Sequence, residues 1–295
     1  MAIAAKEKGL ITIEGHEIAI TNPNKPLWPK DKITKLEFLD RLVALSPYLL
    51  RYTNNRYLTT IRWPHGIEGE SFYQKNCPKG APEFVRTEML GDIHYIVLDS
   101  LPTLLWLGNL ACLEFHPSLH YVEDELPAEW LIDIDPSVEE EPRIMEAAKI
   151  VVDLLASLKI QSVPKTSGAT GVQIYVPIRR GYTFEQLRCI GKFLGDYLTQ
   201  AHPGLFTVER LKKDRGTLIY FDYMQHWYGK TLSAPYTPRA KPGGTVSTPL
   251  HPDELSSGIS PKDFHLRNIE RRLLNVGDII STVEPQSLEH VLTVL

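Results

Sequence analysis

Trp130-Leu-Ile-Asp-Ile-Asp-Pro136 is the stretch on which the fold of this 295-residue chain turns. An apolar start gives way to an alternation that sets Asp133 and Asp135 two residues apart, and on a β-strand such residues share a face. At a rise of ~3.3 Å per residue their Cα atoms lie about 7 Å apart. Two carboxylates so placed repel each other unless a cation sits between them or one is protonated. Hard oxygen donors of this kind suit Mg²⁺ or Mn²⁺. A lone Asp-x-Asp is also compatible with the exposed tip of an ordinary strand, so the flanking sequence has to decide.

Downstream, residues 142–158 place Ile144, Ala147, Ala148, Val151, Leu154, Leu155 and Leu158 on one stripe, the pattern of an amphipathic helix. Thr166-Ser-Gly-Ala-Thr-Gly171 precedes a strand over 172–178. A second helix over 183–202 opens with capping-box spacing, Thr183 to Gln186, and a strand over 217–222 ends on Asp222. Upstream come a strand-like stretch over 10–20 and a loop rich in Pro, Asn and Lys over 21–32. A helix follows, opened by Thr34 and Glu37 and carrying Leu36, Leu39, Leu42 and Val43. A strand over 57–62 leads into a long connection over 66–83, and connections of that length are commonly functional. A strand over 94–98, a helix over 102–110 and a strand over 111–116 complete the first half. The far end holds a Pro- and Gly-rich segment over 233–252 and helical patterns over 261–274 and 287–295. Helices and strands intermix without a βαβ rhythm, which favours an α+β fold.

The bulk composition excludes little beyond that. A hydrophobic fraction of 43% and a charged fraction of 23% are those of a soluble globular chain. No apolar run reaches the ~18 residues of a membrane span, and the first residues do not read as a secretory signal. Cys77, Cys112 and Cys189 form no Cys-x-x-Cys pair, which points to a reducing cytoplasm rather than to a disulfide framework or zinc ribbon. A net charge of −4 argues against a basic footprint for nucleic acid. Its distribution is uneven, however. Basic residues bunch at Lys25, Lys30, Lys32 and Lys35, at Arg179 and Arg180, and over 210–215 and 267–272, while acids bunch over 123–129 and 139–141. Each cluster by itself is compatible with a solvated face.

The chemistry rests on combination. Asp222 alone would be a strand-capping residue, and 166–171 alone a β-turn. A third carboxylate allows two cations to be held together for in-line phosphoryl or nucleotidyl displacement. Small, hydroxyl-bearing residues let the backbone approach phosphate closely. Two acid-tipped strands with such a loop between them describe a metal–triphosphate site.

The ordered motifs then resemble a known family. Thr21-Asn-Pro-Asn-Lys-Pro-Leu-Trp-Pro29, Arg62-Trp-Pro-His-Gly66, Phe72-Tyr-Gln-Lys75, Leu113-Glu-Phe-His-Pro117, Asp133-Ile-Asp-Pro136, Thr166-Ser-Gly-Ala-Thr-Gly171 and Phe221-Asp-Tyr-Met-Gln225 carry the likeness. Gly229-Lys-Thr, Ala234-Pro-Tyr, Arg239 and Val246-Ser-Thr-Pro-Leu250 extend it, so that it runs from about residue 11 to the C-terminus. The chain resembles the polymerase domain of bacterial DNA ligase D and its stand-alone relatives, a branch of the archaeo-eukaryotic primase superfamily.

That resemblance implies a primase-polymerase fold spanning 1–295 as a single catalytic domain, two packed sheet-and-helix modules with the active site in the cleft between them. It implies template-directed nucleotidyl transfer, in gap filling and end extension for non-homologous end joining, with ribonucleotide preference. Asp133, Asp135 and Asp222 match the metal-binding triad for two Mn²⁺ or Mg²⁺ ions. His116, Ser167, Gly168, Thr170, Gly171, Gln173, Gln225, Lys230 and Arg239 match positions around the incoming nucleoside triphosphate; a bare sequence reading leaves His116 open as a hydrogen-bonded core histidine. Asn22, Lys25 and Lys35 match a pocket for the 5′-phosphate of a DNA end or gap, Phe72 and Tyr73 match template-contacting aromatics, and Arg215 joins the DNA-binding set. Partners implied are double-stranded DNA ends, Ku and a DNA ligase, in a nucleoid-associated, non-membrane setting. Many relatives carry Lys and His where this chain has Thr170 and Gln173, and a basic residue at Ile61. Two other functions stay open: a replicative-type primase and a catalytically weak DNA-end-binding module.

Overall fold

The computed structural model describes residues 8–295, whose chain path divides into two compact units. The first runs to Pro117 and adds Thr231–Val246 and His265–Arg271; the second comprises Ser118–Lys230, Ser247–Phe264 and Arg272–Leu295. No helix among the described residues is long and apolar enough to cross a membrane.

The first unit opens with a hairpin, β1 (Lys8–Ile13) and β2 (His16–Thr21). Its two-residue turn places Glu14 at φ 50° and Gly15 at φ 81°, the positive dihedrals that tight hairpins require. The segment expected as pure loop contains a short strand, β3 (Pro26–Trp28), paired with β4 (Ile33–Thr34). Helix α1 (Lys35–Thr53) starts where expected, with the Thr34 hydroxyl accepting from the Glu37 amide at 3.2 Å. The reciprocal half of that box is replaced, because the Glu37 carboxylate takes Arg267 instead.

The first unit's sheet has the order β6-β5-β8-β7, with β5 (Arg56–Arg62), β6 (Phe72–Gln74), β7 (Thr87–Leu90) and β8 (Ile93–Val97), while β9 (Cys112–Tyr121) also pairs β5. Helix α2 (Leu101–Asn109) packs on α1. Gly108 makes that approach possible, since a Cβ there would meet Leu39 and Leu42 side chains at 2.7 Å.

The second unit is built on the sheet β11-β12-β10-β14-β13. Its strands are β10 (Trp130–Pro136), β11 (Val163–Thr166), β12 (Val172–Val176), β13 (Phe206–Thr207) and β14 (Ile219–Asp222). Helix α3 (Ile144–Ser157) covers β10, β11 and β12, and α4 (Phe184–Ala201) begins with the Thr183–Gln186 capping box fully formed. Ile132, Ile134, Val172, Ile174, Ile219 and Phe221 line one sheet face and are buried. Gly195 lets α4 come close there: a Cβ would lie 3.2 Å from the Phe221 ring. Alternation then sends Asp133 and Asp135 to the opposite face.

Of the two C-terminal helical patterns, 261–274 forms only as α5 (Ile269–Val276) and 287–295 as α6 (Glu289–Leu292). Residues before α5 are held otherwise: Asp263 N donates to Ser260 O, and the Asn268 side chain accepts from His265 N.

Candidate active site

In the second unit, the antiparallel register of β10 and β14 sets Asp133 directly against Asp222 and Asp135 against Tyr220. Opposed residues on antiparallel strands share a face, so all three carboxylates expected at the site lie on the side away from the apolar face. Burial pushes the Asp133 carboxyl well above the usual range; Asp135, and then Asp222, push it further, while a hydrogen bond from Gln173 and the nearby Lys165 charge oppose them. The Asp222 carboxylate is fixed by its own turn. Its Oδ1 accepts from the amides of Met224 at 3.0 Å and Gln225 at 2.9 Å, and from the Tyr220 hydroxyl at 3.1 Å. Gln225, expected near nucleotide, thus begins its role as the backbone donor that shapes this turn.

The loop expected to cradle phosphate lies against the same carboxylates. Gly168 takes φ 69°, and the Ser167 hydroxyl accepts from the amides of Ala169 and Gly171, both at 3.1 Å. Those two amides therefore close the loop rather than face outward, and Ser167 is its buried latch. A Cβ on Gly171 would stand 2.6 Å from the Ile134 carbonyl and 2.9 Å from Asp135 Oδ1. Thr170 is half-buried at the loop tip. Gln173 is buried within the sheet, its carbonyl oxygen accepting from Lys165 Nζ. Lys230 is exposed, with Nζ donating to Met224 O at 3.2 Å.

Among the described residues, no three His, Cys, Asp or Glu side chains are gathered tightly enough to hold a metal ion alone. The donor set nevertheless fits the expected cations. Mg²⁺ is ordinarily bound through one or two carboxylates and completes its octahedron with water and phosphate oxygens. A row of like charges with a strongly raised carboxyl is also an arrangement that a cation relieves.

In the first unit, His116 and Arg239 meet on a residue that the sequence motifs contained without a role, Glu114. Its Oε2 lies 2.9 Å from both His116 Nε2 and Arg239 Nε, and its Oε1 accepts from Ala240 N at 3.0 Å. Despite burial, these partners hold its carboxyl down at about 2. Glu114 is therefore the anion that aims both groups, and the Glu-x-His alternation on β9 was the sequence signal for it.

The DNA-facing expectations other than Arg215 fall in the first unit. Lys35 is buried, with Nζ donating to Thr21 O at 2.6 Å and Asn109 O at 2.8 Å. Burial, and then the charge of Lys25, lower its pKa to about 8. Lys25 Nζ donates to Pro64 O, and Asn22 takes φ 50° at the start of the same turn. The motifs beginning at Thr21 and Arg62 thereby meet: Gly66 lies against the Pro26 and Leu27 carbonyls, where a Cβ would come within 3.0 and 2.9 Å. Phe72 and Tyr73 are exposed on β6, Tyr73 by 73%, with Arg62 stacked over Phe72 at 5.2 Å. Arg215, which belongs to the second unit, is tied to its own loop through the Glu209 and Arg210 carbonyls, and it stacks on the Tyr220 ring at 3.6 Å.

Comparison with known proteins follows the same lines. The family model described as LigD, primase-polymerase domain, matches residues 34–280. The Bacillus subtilis bifunctional non-homologous end joining protein LigD is 39% identical over 263 residues, covering 88% of this chain and 43% of that protein. The Mycolicibacterium smegmatis multifunctional non-homologous end joining protein LigD is 28% identical over 277 residues, covering 90% and 36%. The chain thus spans less than half the length of these curated relatives. Among solved structures, the polymerase domain from Mycobacterium tuberculosis Ligase D in complex with DNA superimposes with a TM-score of 0.83 at 25% identity, covering 90% of this chain and 97% of that one. Motifs, fold and family model agree, and the chain belongs to the LigD primase-polymerase domain family.

Proposed function

We propose that the chain is a template-directed nucleotidyltransferase that fills gaps and extends ends in non-homologous end joining. The observation that carries this is the register that sets Asp133 against Asp222 with Asp135 on the same face, in a chain of this family. In this reading the three carboxylates hold two divalent cations, Mn²⁺ or Mg²⁺. Bound there, such ions supply Lewis acidity toward the primer 3′-hydroxyl and neutralise charge on the departing pyrophosphate.

The chain's own contribution is positional. Strand pairing fixes Asp133 and Asp222 before substrate arrives, and such preorganisation spares reorganisation during reaction. The latched loop keeps small residues beside Asp135, where a bulkier side chain would displace the carboxylate. Arg239, aimed by Glu114, offers phosphate the planar fork that suits it. Lys25 and Lys35, two like charges held as neighbours, are relieved by a 5′-phosphate, which favours gap filling over de novo priming. Ribonucleotide preference, Mn²⁺ stimulation and cooperation with Ku and a DNA ligase belong to the same proposal and rest on the family resemblance.

Primer extension on a gapped, 5′-phosphorylated duplex, comparing NTPs with dNTPs and Mn²⁺ with Mg²⁺, tests it. Asp133→Ala, Asp135→Ala and Asp222→Ala should each abolish nucleotide addition while mobility-shift binding to the duplex persists. Wild-type extension by any of the three would sink the metal assignment.

A further inference from the structure

Lys165 is a buried lysine, 1% exposed, with no role in any motif so far described. It lies on β11, opposite Gln173 on β12; Gln173 lies opposite Asp133 on β10, and Asp133 opposite Asp222 on β14. Four polar side chains therefore form one row across four strands, on one face of the sheet.

The row has a direction imposed by chemistry. A lysine ammonium can only donate. Lys165 Nζ donates to Ser247 Oγ at 2.6 Å and to the Gln173 carbonyl oxygen. Ser247 passes its single proton to Thr166 O at 2.8 Å, so it receives from Lys165 rather than giving to it. With its oxygen turned to Lys165, the Gln173 amide must present its NH₂ to Asp133, where it is hydrogen-bonded. An amide without such a neighbour can turn over and present oxygen to oxygen.

We propose that Lys165 is a positioning residue for the metal site: by fixing the orientation of the Gln173 amide it holds the Asp133 carboxylate in the rotamer that receives a divalent cation. This rests on the assignment of Asp133, Asp135 and Asp222 as metal ligands. It also gives Gln173 a task within the sheet that a histidine at the same place would not perform in the same way, since an imidazole has no carbonyl oxygen to accept from Lys165.

The probe is Mn²⁺ itself, titrated into the full chain without nucleotide and followed by loss of the free-ion electron paramagnetic resonance signal. Lys165→Met removes the donor at nearly constant volume, and partners behind a metal ligand typically control about 10–100-fold in affinity. The variant should therefore bind Mn²⁺ about 10–100-fold more weakly. Its KM for nucleotide at saturating Mn²⁺ should stay within about threefold of wild type, because Lys165 acts on Asp133 and not on the triphosphate. Gln173→Leu should weaken Mn²⁺ similarly, and Lys165→Met/Gln173→Leu no further, since residues acting in series are not additive. Unchanged Mn²⁺ binding in Lys165→Met overturns the proposal, as do multiplying effects in the double variant or a defect confined to nucleotide KM. Should Lys165→Met fail to fold, as judged by circular dichroism, Ser247→Ala replaces it. Loss of that outer hydrogen bond should weaken Mn²⁺ about three- to tenfold, and wild-type binding overturns the proposal. A wild-type chain that takes up no Mn²⁺ removes the metal assignment and this inference together, whereas wild-type uptake with an unaffected variant removes this inference alone.

Discussion

Gly171→Ala is the smallest change that probes the junction of loop and carboxylate. The added Cβ would stand 2.6 Å from the Ile134 carbonyl, about 0.8 Å inside ordinary contact, and 2.9 Å from Asp135 Oδ1. The strain is steric rather than dihedral, because Gly171 is not among the residues with positive φ. Retreat is restricted on both sides: Val172, the next residue, is paired with Ile134, and the Gly171 amide and carbonyl are engaged by Ser167. Overpacking of this size costs about 1–3 kcal/mol, and at about 2–4 °C per kcal/mol for a large domain Tm should fall by roughly 2–12 °C. Displacing a reacting arrangement by about 1 Å costs up to ~100-fold in rate, so kcat for primer extension should fall about 10–100-fold. Gly204→Ala, where a Cβ meets nothing within 4 Å, serves as the control and should match wild type. Thermal unfolding and single-nucleotide extension decide the matter. Wild-type kcat and Tm in Gly171→Ala would refute the close approach of loop and carboxylate.

If Lys35 contacts the 5′-phosphate as proposed, recognition should depend on pH: with a pKa near 8 the residue is charged at pH 7 and largely neutral at pH 9. The preference for 5′-phosphorylated over 5′-hydroxyl gapped DNA, about tenfold at pH 7 from one charge-assisted contact, should shrink over that interval in a binding titration. Its folded value lies below the ordinary 10.5, so its contribution to stability rises with pH between about 8 and 10.5 and is lost as pH falls through about 8. Glu114→Gln should raise the nucleotide KM about tenfold by loosening Arg239 and His116. Because that carboxyl is held at about 2, its stabilisation is lost only as pH falls toward 2, and the variant's kinetic deficit should be flat between pH 5 and 9. Thr170→Lys, at the half-buried loop tip, should lower nucleotide KM in steady-state extension. Gln173→His should add nothing to it, since the substitution breaks the contacts to Lys165 and Asp133.

What could be read from sequence was whatever local patterning determines. The apolar run into Asp133 and Asp135, the stripe of α3, the capping box of α4 and the acid at the tip of β14 each follow from short-range rules, and each formed where expected. Strand register is not local, and it is register that sets Asp133 against Asp222. The strand β11 was missed because it has four residues and contains Pro164, which is tolerated there because β11 lies at the end of the strand order. With β11 unseen, Lys165 could only read as another surface charge. Glu114 was hidden for a related reason: its partner Arg239 lies far along the chain, and no spacing announces their meeting. Lys35 was expected at a phosphate pocket, and burial beneath the Thr21 and Asn109 carbonyls is a property no composition reveals.

The interleaved path of the two units bears on how the protein matures. The chain leaves the second unit after Lys230, contributes Thr231–Val246 to the first, and only then returns with Ser247–Phe264. The returning segment brings Thr248 and Leu250 to the otherwise open side of β11, through bonds from Thr166 N to Thr248 O and from Leu250 N to Pro164 O, and it delivers Ser247 to Lys165. On the ribosome, then, all three carboxylates emerge before the residue that completes the row behind them. Neither unit can finish as an independent cotranslational module, and the late, long-range closure places this chain among topologies that fold slowly. A nascent chain stalled before residue 247 would carry Asp133, Asp135 and Asp222 and still lack the outer anchor of their row, a built-in delay between synthesis of the three carboxylates and their final alignment.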